Sequence, residues 1–193
     1  QAALAVAPYG SFTGESNIDP GVMQIDEPSY LGAPIRKDLA MVDSNGDSFV
    51  LGEMLGKPVI LLFSYYGCGG SCPIMNTLLE QALADIDRFE LGKDFSVLTV
   101  SFDRHDTTES MRTFVDENEL SSLDSSGWRH AVLQNKKADL ETLTSSVGYK
   151  FFWSRADEVF LHPNALIFLT PQGRVARYLY GTSMAADNIE KAL

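Results

Sequence analysis

Val59-Ile-Leu-Leu-Phe63 runs straight into Ser64-Tyr-Tyr-Gly-Cys-Gly-Gly-Ser-Cys-Pro73. The first stretch is short and wholly apolar, the pattern of a central strand buried on both faces. The second contains both cysteines of the chain, Cys68 and Cys72. After it, Ile74, Leu78, Leu79, Ala82, Leu83, Ile86 and Phe89 recur at helical spacing. Strand, loop and helix together put the cysteines at the carboxyl end of a strand, where α/β sheets collect ligands. They also put them at a helix N-terminus, which favours anions and draws a thiol toward the thiolate.

Working outward, Phe95–Phe102 reads as a second central strand, with Asp103 at its end. Asp106-Thr-Thr-Glu109 reads as a capping box that opens a helix to about Glu119. Upstream, 39–42 and 48–51 flank Asn45-Gly46, a strong turn former, and predict an N-terminal β-hairpin. Downstream come a short strand over Arg129–Leu133, a helix over Lys137–Val147 and a C-cap at Gly148. Val159–Leu161 predicts a strand leading to His162-Pro163. Ala165–Leu169 and Val175–Tyr180 form a hairpin around Thr170-Pro-Gln-Gly173, and Ser183 caps a last helix through Ala192. This order predicts an α/β fold: a central mixed sheet with helices on both faces. Residues 1–34 read as an extended lead-in rich in Gly, Pro, Ala and Ser, and 35–193 as one folded domain.

The whole chain has 193 residues, 45% of them apolar and 21% charged. That length supports a single core burying ~70% of the unfolded surface, and it excludes disorder, collagen and a disulfide-dense miniprotein. Fifteen basic against 26 acidic residues leave a net charge of -11, which argues against nucleic-acid or anionic-membrane partners. The chain starts at Gln1, which is compatible with a removed signal; Ala2–Ala7 lacks the basic and full apolar regions of an intact one. The apolar run at Val59–Phe63 is too short to span a bilayer, so a membrane anchor is expected only outside these ends.

Cysteines separated by only three residues cannot staple distant parts of a fold, so their spacing points to metal or redox chemistry. Two soft sulfurs and an imidazole suit Cu(I). The same sulfurs can close a disulfide, which couples metal binding to redox state. The bland reading is a surface disulfide or two inert thiols. Three histidines are available: His105, His130 and His162. His105 follows Asp103 and is a candidate modulator or a solvated loop residue; His130, beside Trp128, reads as structural. Met75, one turn past Cys72, has a thioether fit for Cu(I) but the spacing of a core residue. Tyr65 and Tyr66 read as aromatic shielding of the loop. Phe151-Phe-Trp153 reads as a bulky loop cluster, either packing or a docking patch. No Walker loop, GxSxG or HExxH is present. The glycines at 67, 69 and 70 permit unusual backbone angles.

Lys57-Pro-Val-Ile-Leu-Leu-Phe63, the CxxxCP run Cys68-Gly-Gly-Ser-Cys72-Pro73, Val100-Ser-Phe-Asp103, His162 and the tail 169–181 together resemble the Sco (SenC) family of copper chaperones. The resemblance covers roughly residues 35–192. It implies a thioredoxin-like fold. It also implies one copper ion, Cu(I) and/or Cu(II), held by Cys68, Cys72 and His162. The implied role is delivery of copper to cytochrome c oxidase, chiefly its copper A centre, by a chaperone rather than an enzyme. The alternative is a thiol–disulfide oxidoreductase in which Cys68 and Cys72 reduce the acceptor's cysteines. Implied partners are an oxidase subunit with a copper centre and a periplasmic copper donor. The implied location is the periplasm or a membrane tether facing it.

Two departures stand out. The loop usually written DPxxDT is here Asp103-Arg-His-Asp-Thr107, shorter and without its proline, which leaves two readings of Asp103: orienting a ligand or a partner, or an ordinary strand-end aspartate. Pro163 follows the distal histidine where a small residue is usual, and it stiffens the loop or introduces a cis bond. A peroxidase would need Thr-x-x-Cys at Cys68, but position 65 is tyrosine.

Overall fold

A computed structural model describes residues 23–120, 127–181 and 184–193. In chain order the elements are α1 (Glu27–Tyr30), β1 (Ala40–Asp43), β2 (Ser48–Val50), β3 (Val59–Ser64), α2 (Ser71–Ala84), β4 (Ser96–Ser101) and α3 (Thr108–Glu117). Then follow β5 (Trp128–Leu133), α4 (Ala138–Ser146), β6 (Phe152–Ser154), β7 (Val159–Leu161), β8 (Ala165–Leu169), β9 (Val175–Tyr180) and α5 (Ala186–Ala192). Seven strands make one sheet in the order β2-β1-β5-β4-β3-β8-β9. The three central strands β3, β4 and β5 are parallel, and β1, β2, β8 and β9 add antiparallel edges. This is the mixed sheet with flanking helices of a thioredoxin-like fold.

Every residue of β3 and β4 is buried, as a sheet covered on both faces requires. Each Leu or Ile so buried is worth ~1.5–3 kcal/mol, which holds the carboxyl end of β3, and so the cysteine loop, in place. The polar residues of β4 are not orphaned. Thr99 Oγ1 donates to Asn76 Oδ1 at 3.0 Å and accepts from the Trp128 indole at 3.0 Å. Asn76 Nδ2 in turn donates to Ser64 Oγ and to the Cys72 carbonyl, at 2.9 and 2.8 Å. A buried polar chain therefore ties β3, β4 and β5 to the first turns of α2.

Several local expectations are revised. Helix α2 ends at Ala84, so Ile86 and Phe89 pack against the core from the following loop rather than from the helix. Its buried side is Cys72, Met75, Asn76, Leu79, Ala82 and Leu83, and Ile74 faces outward at 39% exposure. The cap of α3 is Thr107, paired with Ser110, not Asp106. Asp106 is drawn inward by other donors, as described below. Residues 151–153 do not form a loop: Phe152–Ser154 pairs with Val159–Leu161 as a separate two-stranded ribbon. No peptide bond among the described residues is cis, so His162–Pro163 is trans. Ser183 and residues 1–22 lie outside the described residues. Ile25 is buried in the core.

Candidate metal centre

The cysteine loop is fixed at both ends. At its start, the backbone N–H of Tyr66 donates to Asp106 Oδ2 at 2.7 Å, and the Tyr66 hydroxyl donates to the Ala131 carbonyl at 2.9 Å. At its end, Cys72 lies in the first turn of α2, 1% exposed, with its carbonyl held by Asn76. Between these posts the chain is open: a Cβ added at Gly67 or Gly69 would meet nothing within 4 Å. None of the glycines at 67, 69 and 70 adopts a positive φ. The open space, not left-handed backbone, is what they provide.

Cys68 is partly exposed and Cys72 buried, and both are free thiols. Cys68 Sγ accepts the Gly70 N–H at 3.3 Å. The Cys72 thiol, the Tyr65 hydroxyl and the backbone N–H groups of Cys72 and Gly70 all donate to Cys68, and they pull its thiol down to about 5 against the opposing effect of burial. The Cys68 sulfur is thus an anion seated at the N-terminus of α2. Cys72 moves the other way. Its thiol, donating to Cys68 and buried, keeps its proton far above the ordinary thiol range. The Tyr65 hydroxyl is likewise pushed up, first by burial and then by its bond to Cys68.

His162 comes from the short link between β7 and β8 and is 5% exposed. Its Nε2 lies 3.7 Å from Cys72 Sγ. Its Nδ1 lies 2.9 Å from Tyr149 Oη and 3.1 Å from the Pro163 carbonyl oxygen. A carbonyl can only accept, so it places the ring proton on Nδ1 and leaves the Nε2 lone pair facing the sulfur. Burial lowers the His162 pKa, partly offset by the Pro163 carbonyl and the Cys68 charge, which favours the neutral ring. Around it, Phe102 packs tilted at a 4.9 Å centroid distance and Tyr65 sits edge-on at 6.4 Å.

The structure therefore brings Cys68, Cys72 and His162 together, 90 residues apart in sequence for the Cys72–His162 pair. They form a chain, Cys68 to Cys72 to His162, rather than a finished cage: among the described residues no three His, Cys, Asp or Glu side chains already have metal-holding geometry. The fit can still be checked on one edge. With metal–sulfur and metal–nitrogen lengths of ~2.3 and ~2.0 Å, an ion bonded to both Cys72 and His162 at their present 3.7 Å separation subtends ~120°. That angle suits a three-coordinate ion, with Cys68 free to complete it.

Asp103 is placed elsewhere. Its carboxylate takes the His105 N–H at 2.9 Å and its own N–H donates to Ser101 Oγ at 3.0 Å. The acidic side chain that reaches the cysteine loop is Asp106, which also accepts from the Ser101 and Ser110 hydroxyls. His105 is exposed and receives the Arg104 guanidinium. His130 is buried and stacked on Trp128 at 5.0 Å, with its pKa lowered to about 3 by burial. Met75 is a core residue, 4% exposed. Sequence reasoning missed Tyr149, Asn76 and Asp106. A polar residue amid the apolar spacing of α2 is a signal that could have flagged Asn76; nothing in the sequence around Tyr149 announces its role.

Among solved structures, a candidate electron transfer protein of Aquifex aeolicus VF5 is 31% identical, with 84% of this chain and 92% of that one covered and a TM-score of 0.76. Arabidopsis thaliana ScoI with copper bound is 16% identical over 84% and 97%, TM-score 0.62. A SCO1/SenC family lipoprotein from Bacillus anthracis is 17% identical over 84% and 94%, TM-score 0.69. A search of curated proteins returns no match. The SCO1/SenC family model matches residues 28–193, which takes in the cysteine loop, Tyr149 and His162 alike, and the chain belongs to the SCO1/SenC family.

Proposed function

We propose that this chain is a copper metallochaperone. It binds one copper ion through Cys68, Cys72 and His162 and hands it to cytochrome c oxidase, at the copper A centre, during assembly. The observation that carries the reading is the His162 ring: Nδ1 is engaged by Tyr149 and Pro163, and Nε2 is aimed at Cys72 from 3.7 Å. A buried histidine held in the metal-binding tautomer beside two sulfurs suits a soft, low-coordinate ion. Family membership and the copper bound to the Arabidopsis relative support the cargo. Copper is cargo here, taken up and released by exchanging one ligand at a time with a partner. A periplasmic copper donor would load it, and the domain would sit in the periplasm or on a tether facing it. The lipoprotein relative supports a tether, and no helix among the described residues is long and apolar enough to cross a membrane.

A second reading is favoured by the split between the two thiols. A partly exposed Cys68 anion beside a protonated Cys72 is the arrangement of a nucleophilic and a resolving cysteine. As a thiol–disulfide oxidoreductase, Cys68 Sγ would attack a partner disulfide. Cys72, losing its proton, would then displace the reduced partner and leave a Cys68–Cys72 disulfide.

Anaerobic titration of the reduced protein with Cu(I), read by X-ray absorption at the copper edge, tests the first reading. One tight equivalent with two sulfurs and one nitrogen, lost in Cys68→Ala/Cys72→Ala and weakened in His162→Ala, is expected. Tight copper unaffected by His162→Ala sinks the ligand set. Absence of tight copper together with a reversible disulfide leaves the oxidoreductase.

A further inference from the structure

Beside the site lies a recess of about 710 Å³ that the chemistry above does not use. Its floor is aromatic: Phe102, Phe151, Trp153 and Phe160. These rings form one contiguous, mostly edge-to-face cluster, with Phe102 at 4.8 Å from Phe151, and Phe160 at 5.5 Å from Phe102 and 5.0 Å from Trp153. Trp153 is 49% exposed, an unusual exposure for so large a ring. The rim is cationic. Arg104, Lys136 and Lys137 stand against only Asp103 and Glu141, a locally positive balance in a chain of net charge -11.

The recess is joined to the metal centre in two ways. Phe102 is shared, lining the recess while packing on the His162 ring. Lys136 donates to the backbone carbonyl of Asp106, the residue whose carboxylate holds the start of the cysteine loop. An occupant would thus sit one aromatic ring away from His162.

We propose that this recess docks an acidic segment of a protein partner, seating one aromatic side chain of that segment on the Phe102–Phe160–Trp153 floor. The charge argument selects the occupant. The chain as a whole repels an acidic partner, and the rim is where that repulsion locally reverses, which fixes both where and how such a partner settles. Exposed tryptophan over a pocket is the composition of an interface anchor. That the partner is the one that exchanges copper or thiols with the site rests on the proposed function; the preference of the recess does not.

The test uses the reduced, copper-free chain and an acetylated, amidated Glu-Asp-Trp-Asp-Glu peptide, followed by calorimetry and by the Trp153 indole resonance in NMR. Saturable binding that shifts this resonance is expected. It should weaken about tenfold or more in Arg104→Glu/Lys137→Glu, in Trp153→Ala and on raising the salt. Circular dichroism checks that these variants fold. Cys68→Ser/Cys72→Ser, which removes the copper ligands, should bind the peptide as the wild type does, so failure of the copper reading leaves this result standing. The proposal is overturned if the charge-reversed variant binds equally, or if a peptide with alanine in place of tryptophan does. It is also overturned if N-acetyltryptophan amide alone binds as tightly as the peptide, since the recess would then be a small-molecule pocket.

Discussion

Tyr149 Oη and Cys72 Sγ approach His162 from opposite ring nitrogens, 2.9 Å from Nδ1 and 3.7 Å from Nε2. The tyrosine is fully enclosed, stacked on Phe63 at 4.3 Å, and its hydroxyl is pushed well above the usual range by burial. It therefore stays protonated and holds the imaginable rotations of the imidazole to one orientation. Tyr149→Phe keeps the ring stack and removes the hydroxyl, leaving only Pro163 on Nδ1. Copper affinity, measured by competition with a chelator, should fall ~10-fold, the lower end of what outer partners of a ligating histidine are worth. An unchanged affinity would mean that Pro163 alone orients the ring.

Cys68 should behave as an anion at neutral pH. Its pKa of about 5 predicts an iodoacetamide alkylation rate that is flat near pH 7 and falls to half near pH 5. Cys72→Ala removes the strongest donor to that sulfur and should move the midpoint upward the most. Tyr65→Phe should move it less. A midpoint near the ordinary thiol value of about 8.5 in the wild type would contradict the geometry.

Asp106 and Asp103 should separate cleanly. Asp106→Ala strands the Tyr66 N–H and the hydroxyls of Ser101 and Ser110. Hydrogen bonds to a charged group are worth ~1.5–3 kcal/mol each, and their losses overlap, so denaturant unfolding should show a loss of ~3 kcal/mol. Asp103→Ala, whose bonds lie within its own turn, should cost less than ~1 kcal/mol.

His130 sets an acid limit to stability. Its folded pKa of about 3 lies below the ordinary 6.5, so the unfolded chain binds the proton first as the pH falls. The contribution of the neutral ring is fully present above pH 6.5 and is lost as the pH drops toward 3, by up to ~1.4 kcal/mol per pH unit. His130→Phe retains a ring on Trp128 and should flatten the unfolding curve in this window, seen as a smaller drop in Tm between neutral and mildly acid buffer.

The frame was legible where residues act through their neighbours in sequence. Val59–Phe63 reads as a central strand by its short, wholly apolar run, and the loop after it puts both cysteines at a helix N-terminus. The distal ligand was another matter. Nothing local ties His162 to Cys72; the family pattern supplied the pairing, and the structure brings ring and sulfur together through the β3–β8 register. The division of labour between Asp103 and Asp106 was illegible for a physical reason. Both sit in one short loop, and which carboxylate turns inward depends on donors from Tyr66 and Ser101, which a linear reading cannot orient. The aromatic run 151–153 looked like a loop because its strand is too short for a period to emerge.

The cysteine loop also imposes an order of events. The backbone of Cys72 is fixed in the helix, its carbonyl held by Asn76, whereas Cys68 rides an open glycine span between two anchored posts. A cargo held by both sulfurs, as proposed, is expected to let go of the travelling Cys68 first and of the helix-borne Cys72 last. The release therefore has a hinge side and a latch side, and Cys68 is the latch.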